Sequence, residues 1–290
     1  MTAALSAGEC AQLACVLEAT ARKPGNVHRT ADFEDCSYLD FLLSAQAVAG
    51  PMDRARERGV GRTVLDAVRA TRRFTASNTN LGMILLFAPL AVAFDREPLR
   101  DGLLAVLDQL TVDDARHGYE AVRIAKPGGL GKAPEQDVED EPTVTLAEAM
   151  RLASDRDAIA RQYGNGYAEV FEIVLPSLRE AIGKDWPLET AIVASHLQLI
   201  AAVPDTLIAR KLGEAVAIEC SERARRVLDA GWPLSREGAP RIAEFDDWLR
   251  SDGNARNPGA SADLIAAGLF VALRDGTIRL PIARFDMDRK

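Results

Sequence analysis

The sequence has few of the residues that build disulfide frameworks or structural zinc sites. Its 290 residues include four cysteines, none in a Cys-x-x-Cys pair, and three histidines. Structural zinc sites need clustered cysteine and histidine ligands, and disulfide-rich domains are dense in cysteine. Neither class of protein is supported, and we expect the cysteines to be reduced packing residues.

Long hydrophobic runs are also missing. The longest extends from Leu81 to Phe94 and is interrupted by Gly82 and Pro89. A transmembrane helix needs roughly 20 consecutive apolar residues, so this run predicts a buried core helix instead. The N-terminal segment has no basic residues ahead of its apolar ones, unlike a secretory signal. We therefore expect a cytoplasmic protein without a membrane partner.

Positive charge is in the minority. The chain has 35 Lys and Arg against 43 Asp and Glu, for a formal net charge of −8. A general nucleic-acid binder needs clustered positive charge, so nucleic acid is not an expected partner. The expected partners are small phosphorylated molecules met by a local basic site, and a homo-oligomer is left open.

Helical periodicity dominates what is present. Apolar residues recur at intervals of three and four, and helix-start residues such as Ser6, followed by Glu9, precede many of these stretches. We predict an all-α fold, a single multi-helix bundle over residues 1–290 in which Gly/Pro-rich loops form the ligand site. Two of its helices are predicted to run unbroken over residues 155–180 and 205–230, and the best strand candidate is residues 277–282.

Three turns of one chemical type lie between predicted helices. They are Lys23-Pro24-Gly25, Asn257-Pro258-Gly259 and the segment from Lys126 to Lys132, which contains Gly128 and Gly129. Glycine-rich backbone can present N–H groups to phosphate oxygens while lysine supplies charge. The alternative is that each turn simply ends a helix, which Pro-Gly commonly does.

Carboxylates accompany these turns and predict a site for Mg²⁺. Magnesium is usually held by one or two carboxylates together with substrate phosphates and water. The competing interpretation of Asp113 and Asp114 is that they are first-turn acids stabilised by the helix dipole. Asp205, followed by Arg210 and Lys211, and the polar run Asn78-Thr79-Asn80 are further candidates.

Taken together, these segments resemble the triphosphoribosyl-dephospho-CoA synthase family, which makes the prosthetic-group precursor of citrate lyase and malonate decarboxylase. The matching residues run the length of the chain: Glu18 with Lys23-Pro24-Gly25; Asp32-Phe33; Asn78-Thr79 with Gly82; Lys126 to Gly131 with Asp137; Asp205-Thr206 with Lys211 and Gly213; and Asn257-Pro258-Gly259 with Ala262-Asp263-Leu264.

The resemblance implies an all-α, Mg²⁺-dependent enzyme that uses ATP as substrate. A ribose 2′-hydroxyl of dephospho-CoA would attack C1 of the ATP ribose, releasing adenine and keeping the triphosphate. By position, the implied catalytic residues are Glu18, Asp32 and Asp114. The implied substrate- and phosphate-binding residues are Lys23, Gly25, Asn78, Thr79, Asn80, Lys126, Gly128, Gly129, Arg210, Lys211 and Asn257, and the implied metal ligands are Asp113, Asp114, Asp137 and Asp205.

The chain departs from the family pattern at several positions. Asn80 and Leu81 stand where the family has His and Lys, Leu207 stands where Asn is expected, and Ala31-Asp32-Phe33 replaces His-Asp-Met. These changes leave two alternatives open. One is a divergent member acting on another phosphorylated precursor in methanopterin- or methylofuran-linked one-carbon cofactor synthesis. The other is a helical binding protein that has lost the chemistry.

Overall fold

The computed structural model describes residues 4–286, and over that range it is built of α-helices. A π-helical turn, Val170–Val174, leads into one of them, and no strand is formed within the described range. The all-α prediction is confirmed, and residues 277–282, the best strand candidate in the sequence, form no strand. The helices are α1 (Ala7–Thr20), α2 (Tyr38–Asp53), α3 (Ala55–Arg58), α4 (Val60–Thr71), α5 (Leu81–Val92), α6 (Leu99–Asp108), α7 (Val112–Ala125), α8 (Leu146–Ala153), α9 (Ala158–Asn165), α10 (Leu175–Gly183), α11 (Leu188–Ala202), α12 (Thr206–Leu212), α13 (Glu214–Asp229), α14 (Gly238–Arg250) and α15 (Gly259–Arg274).

Packing contacts group the described helices into two compact units. The first unit comprises residues 4–16 and 39–168, and the second comprises residues 17–38 and 169–286. Helix α1 therefore contributes its first part to one unit and its end to the other. The expectation of a single domain over residues 1–290 stays a prediction.

The core of the first unit is organised around α5, the apolar run recognised in the sequence. Pro89 lies inside this helix and has no N–H to donate to the carbonyl of Leu85. The hydroxyl of Tyr163 donates to that carbonyl instead, at 2.6 Å, and Tyr167 donates to the carbonyl of Leu86 at 3.0 Å. Both tyrosines are buried, so their phenol groups complete the hydrogen bonding of the core helix.

Helices α4 and α7 approach closely at a glycine. A Cβ added to Gly61 would lie 2.5 Å from the carbonyl oxygen of Asp114, closer than real atoms approach. The Asp114 carboxylate meanwhile accepts the Gly61 N–H at 2.8 Å and forms a capping box with Thr111 at the start of α7. Asp114 thus fastens two helices and caps one of them.

Both long helices predicted for the C-terminal half are interrupted. The helix expected over residues 155–180 breaks after α9, where Gly166 and Tyr167 have φ values of 67° and 59°. The helix expected over residues 205–230 breaks at Gly213, with φ 93°. Helical periodicity continues across both breaks, so the pattern of apolar residues alone did not reveal them.

The core of the second unit packs α11 against α13 and α14. Helix α11 is buried on nearly every side, and its Leu197 and Ile200 pack in one cluster with Phe245 and Leu249 of α14. This packing places the end of α14 beside the segment that follows α1.

The apolar helices are short compared with the thickness of a bilayer. Within residues 4–286 no single helix is long and apolar enough to cross a bilayer. Helices α11 and α12, bent by 55° at the break between them, reach that length and composition only as a pair.

The contact at Gly61 generates a stability prediction. Gly61→Ala should destabilise the protein by about 1–3 kcal/mol, because its methyl group would press on the backbone of α7. Gly183→Ala is the matched control, since a Cβ at Gly183 of α10 has open space around it. That control should be neutral or slightly stabilising. Urea unfolding measures both; equal effects of the two substitutions would contradict the tight contact.

Candidate active site

Two of the three Pro-Gly turns meet in the second unit. The side chain of Asn26, directly after Lys23-Pro24-Gly25, donates to Oδ1 of Asn257 at 2.6 Å. Gly25 has φ 74°, and a Cβ there would lie 2.8 Å from Leu249 and 3.0 Å from Cδ of Pro258. Only glycine fits this position, because both its backbone conformation and its surroundings exclude a side chain.

Lys23 is buried in an ion pair at the centre of these turns. Its ammonium lies 2.8 Å from Oε1 of Glu18 and donates to the Glu18 backbone carbonyl at 2.5 Å, with neither side chain more than 3% exposed. Burial raises the pKa of Glu18, and the charge and hydrogen bond of Lys23 oppose that rise. The charge of Lys23 is thus balanced by a carboxylate, and its predicted phosphate contact stays a prediction.

Helix α14 supports the first turn through an acidic and a basic residue. Oδ1 of Asp246 accepts the Gly25 N–H at 2.7 Å and also the Nε–H of Arg250 at 2.8 Å. Arg250 in turn donates to the Asn26 carbonyl at 2.7 Å and lies 3.2 Å from Nε2 of His28. Sequence reasoning missed these residues, because an i,i+4 Asp–Arg pair is commonly just a surface pair.

A fully buried histidine adjoins the same turns. His196 lies in α11, and its pKa is lowered well below the usual range by burial and by the charge of Lys23, with the backbone of Pro258 opposing. Neither ring nitrogen makes a hydrogen bond of normal geometry, and Oε2 of Glu18 and Oδ1 of Asn26 are also buried without a partner. We call the buried residues Glu18, Lys23, Asn26 and His196, together with the partly buried Asn257, the buried polar cluster.

Asp205 has a local structural role in the second unit. Its Oδ1 caps α12 by accepting the N–H groups of Leu207 and Ile208, and its Oδ2 accepts the N–H and hydroxyl of Ser261, both at 2.7 Å. Burial raises the pKa of Asp205, and these four hydrogen bonds oppose the rise. Lys211, at the exposed end of α12, lies 3.4 Å from the Asn254 carbonyl.

Asp32 is exposed and lies outside the buried polar cluster. Its Oδ1 accepts the N–H of Tyr38 at 2.7 Å and so stabilises the start of α2. Of the three predicted catalytic carboxylates, Glu18 and Asp32 belong to the second unit and Asp114 to the first.

The polar run Asn78-Thr79-Asn80 lies at the start of α5 in the first unit. It lines a small pocket of about 10 Å³ together with Arg72, which sequence reasoning missed. Oδ1 of Asn78 accepts the Leu81 N–H at 3.2 Å, and the amide of the buried Asn80 donates to Thr71 at 3.3 Å. These side chains stabilise the turn as well as lining the pocket.

The third Pro-Gly turn is exposed. Lys126 ends α7 in a left-handed conformation with φ 49°, and a Cβ added to Gly128 in the following loop would meet no atom within 4 Å. Gly129 is also exposed. Asp137 organises the loop by accepting the N–H groups of Ala133 and Glu139, which lowers its pKa. The lysine and glycine backbone of this turn are open to solvent, unlike Lys23.

Of the four predicted metal ligands, Asp113, Asp114 and Asp137 belong to the first unit and Asp205 to the second, and their binding of a metal stays a prediction. Asp114 and Asp205 have both oxygens engaged by hydrogen bonds, Asp137 is held within its own loop, and Asp113 is exposed beside Arg116. Across residues 4–286, no three His, Cys, Asp or Glu side chains are grouped to hold a metal. The described residues thus contain no preformed group of three such ligands, and Mg²⁺ stays a prediction.

Comparison with known proteins places the chain in a family. Residues 4–280 match the model of CitG, described as ATP:dephospho-CoA triphosphoribosyl transferase. A crystal structure from Archaeoglobus fulgidus, named as a candidate triphosphoribosyl-dephospho-CoA synthase, is similar with a TM-score of 0.64 and 26% identity, covering 81% of this chain and 99% of that one. The chain belongs to the CitG family.

Curated relatives carry a consistent name. Proteins from Pseudomonas fluorescens Pf-5 and Pseudomonas syringae pv. tomato, both called "Probable 2-(5''-triphosphoribosyl)-3'-dephosphocoenzyme-A synthase", are 31% and 27% identical over 42% and 47% of this chain. The match spans about half the length of each relative, 45% and 52%. These names do not favour a one-carbon cofactor enzyme or a non-catalytic binding protein.

The burial of Lys23 generates the second prediction. Lys23→Met should destabilise the protein by about 3–5 kcal/mol, because it leaves the Glu18 carboxylate buried without its counter-ion. The double variant Glu18→Leu/Lys23→Met should recover most of that loss. Lys184→Met is the control, since Lys184 pairs with Glu180 on the surface and should cost less than about 1 kcal/mol. Chemical denaturation would contradict the buried pair if Lys23→Met and Lys184→Met cost the same.

The surroundings of His28 predict a pH dependence. Burial and the charges of Arg250, Lys23 and Arg29 lower the pKa of His28 to about 4, while Asp246 acts in the opposite direction. Between pH 6.5 and 4 the unfolded chain takes up a proton that the folded protein does not, so stability falls on acidification. His28→Gln should flatten this fall. His117→Gln is the control. The measurement is the free energy of unfolding as a function of pH, and the same slope in His28→Gln as in wild type would contradict the role given to His28.

Proposed function

We propose that this protein is a transferase that moves the triphosphoribosyl group of ATP to a ribose hydroxyl of dephospho-CoA. The C1–N9 bond of ATP breaks and a C1–O bond forms. The attacking hydroxyl loses one proton, and the departing adenine gains one. The observation that carries the proposal is the meeting of two family turns, Lys23-Pro24-Gly25 and Asn257-Pro258-Gly259, at a buried carboxylate within a chain that matches the family over residues 4–280.

Glu18 is the proposed catalytic carboxylate. Departure of a nucleobase builds positive charge at C1 of the ribose, and a carboxylate in a low-dielectric site stabilises such charge strongly. Oε1 of Glu18 is held by Lys23, while Oε2 is buried without a hydrogen bond. In the proposal Oε2 faces the reacting sugar, where it also receives the proton of the attacking hydroxyl.

Exposed cations bind the triphosphate in this proposal. Lys126, with the glycine backbone after it, is exposed in the first unit, and Lys211 at the end of α12 is exposed in the second, where Arg210 is half-buried. Mg²⁺ arrives as part of the substrate, coordinated chiefly by triphosphate oxygens and water. A cytoplasmic location belongs to the same proposal, and the homo-oligomer and the absence of nucleic-acid and membrane partners stay predictions.

The experiment is an assay for adenine release from ATP with Mg²⁺, with and without dephospho-CoA. We expect release that requires dephospho-CoA, a new product whose mass equals the sum of both substrates less adenine, and loss of turnover in Glu18→Gln. Chelation of Mg²⁺ with EDTA should abolish release. Tight binding of both substrates with no adenine formed under any condition would contradict the transferase assignment.

Lys126→Ala tests the proposed triphosphate contact. This variant should raise the KM for ATP about tenfold or more, because it removes a charge-assisted contact, while the melting temperature changes little at an exposed site. Lys184→Ala is the matched control: Lys184 also ends a helix, α10, and is also exposed. If both variants change the KM for ATP equally, the change arises from general surface charge, and the proposed contact of Lys126 with the triphosphate is contradicted.

A further inference from the structure

Most of the unpartnered atoms of the buried polar cluster are hydrogen-bond acceptors. A carboxylate oxygen of Glu18 and the amide oxygen of Asn26 are left without donors, and neither ring nitrogen of His196 makes a hydrogen bond of normal geometry. Leaving a buried polar atom unpaired costs about 1–3 kcal/mol, so these groups need a partner. Two of the three residues therefore require a hydrogen-bond donor.

The excess of acceptors in the cluster favours a hydroxyl group over a phosphate group as its ligand. Carboxylate and amide oxygens only accept, while a neutral imidazole offers one acceptor and one donor. A phosphate group at neutral pH is chiefly an acceptor and therefore does not supply the donors that these oxygens lack. The two neighbouring hydroxyls of a ribose donate two hydrogen bonds and accept others, so together they complement the two acceptor oxygens and the imidazole.

Lys23 does not change this conclusion. Its ammonium is engaged by Oε1 and by the backbone carbonyl of Glu18, and it is fully buried. The pair leaves little positive charge to attract an anion. The same contacts fix the free groups: Lys23 holds the Glu18 carboxylate, and the contact with Asn257 fixes the Asn26 amide. The free atoms are thus preorganised, as ligand-binding groups need to be.

We propose that Glu18, Asn26 and His196 bind the neighbouring 2′- and 3′-hydroxyls of a ribose in a nucleotide substrate, with His196 as a binding residue, and that phosphate groups bind elsewhere. This assignment rests on the proposed function, whose two substrates, ATP and dephospho-CoA, both carry ribose hydroxyls. It replaces the phosphate contact expected at Lys23 with a sugar contact.

The experiment compares binding by wild type and His196→Leu in calorimetry. The probes are ATP, 2′-deoxy-ATP, 3′-deoxy-ATP, dephospho-CoA and inorganic tripolyphosphate. Wild type should bind the ribose form about 3- to 10-fold more tightly than a deoxy form, as expected for one hydrogen bond. His196→Leu should lose that discrimination, leave the tripolyphosphate affinity unchanged, and keep or raise the melting temperature, because it removes an unpaired polar group.

Two further variants control the experiment. His196→Gln keeps a donor and an acceptor and should retain part of the discrimination. Ser195→Ala changes the neighbouring buried residue, whose hydroxyl donates within α11, and should bind every probe as wild type does. If His196→Leu does not fold, Asn26→Leu serves the same comparison.

The set of probes distinguishes the ribose of ATP from the ribose of dephospho-CoA. Loss of affinity for ATP alone assigns the cluster to the ATP ribose, and loss for dephospho-CoA alone assigns it to the acceptor ribose. Equal losses for tripolyphosphate and ATP, or full ribose discrimination in His196→Leu, would overturn the proposal. Calorimetry measures binding without turnover. Ribose discrimination without adenine release would contradict only the proposed function, and adenine release without ribose discrimination would contradict only the role of the cluster.

Discussion

Burying the ammonium of Lys23 is costly, and much of the second unit can be understood from that cost. An isolated buried cation would carry a penalty of several kcal/mol, so a counter-ion and further acceptors must lie within hydrogen-bonding distance. Glu18 supplies both from the preceding turn of α1. The chain then needs a tight turn to return from the core, and Gly25 permits it where Leu249 and Pro258 leave no space for a side chain.

Residues that contact the turn at Gly25 stabilise it by further hydrogen bonds within the second unit. Asp246 and Arg250 pair with the backbone of the turn, and Arg250 also faces His28, which burial and positive charge keep neutral over a wide pH range. The result is a rigid, nearly uncharged polar cluster. Exposed cations lie instead in loops and at helix ends, so sugar and phosphate groups would meet chemically different surfaces.

The structure shows the surroundings of two residues that depart from the family pattern, Leu207 and Leu81. Leu207 packs against Gly259, where an added Cβ would lie 2.8 Å from the leucine side chain, at the turn that contributes Asn257. Leu81 is buried at the start of α5, and it lines the small pocket beside Arg72. Arg72 thus supplies positive charge at a pocket where the family lysine is missing.

Carboxylates show why site prediction from residue type is difficult. Asp114 and Asp205 were candidates for magnesium because of their charge and their position near family motifs. In the structure they cap helices and bind the backbone of a second segment, Gly61 for one and Ser261 for the other. A capping aspartate and a metal ligand have the same local sequence, since both need only an acidic residue at the start of a helix.

The sequence by itself determined the all-α class, the core helix α5 and the positions of the Pro-Gly turns, because helical periodicity, capping residues and turn chemistry act over a few neighbouring residues. It also contained enough of the family pattern to indicate the reaction class. Tertiary structure alone decided that Lys23 is neutralised, that Asn26 meets Asn257, and that His196 adjoins them. Those relations join segments far apart in the chain, and hydrogen-bond partners and burial depend on packing that no local pattern records.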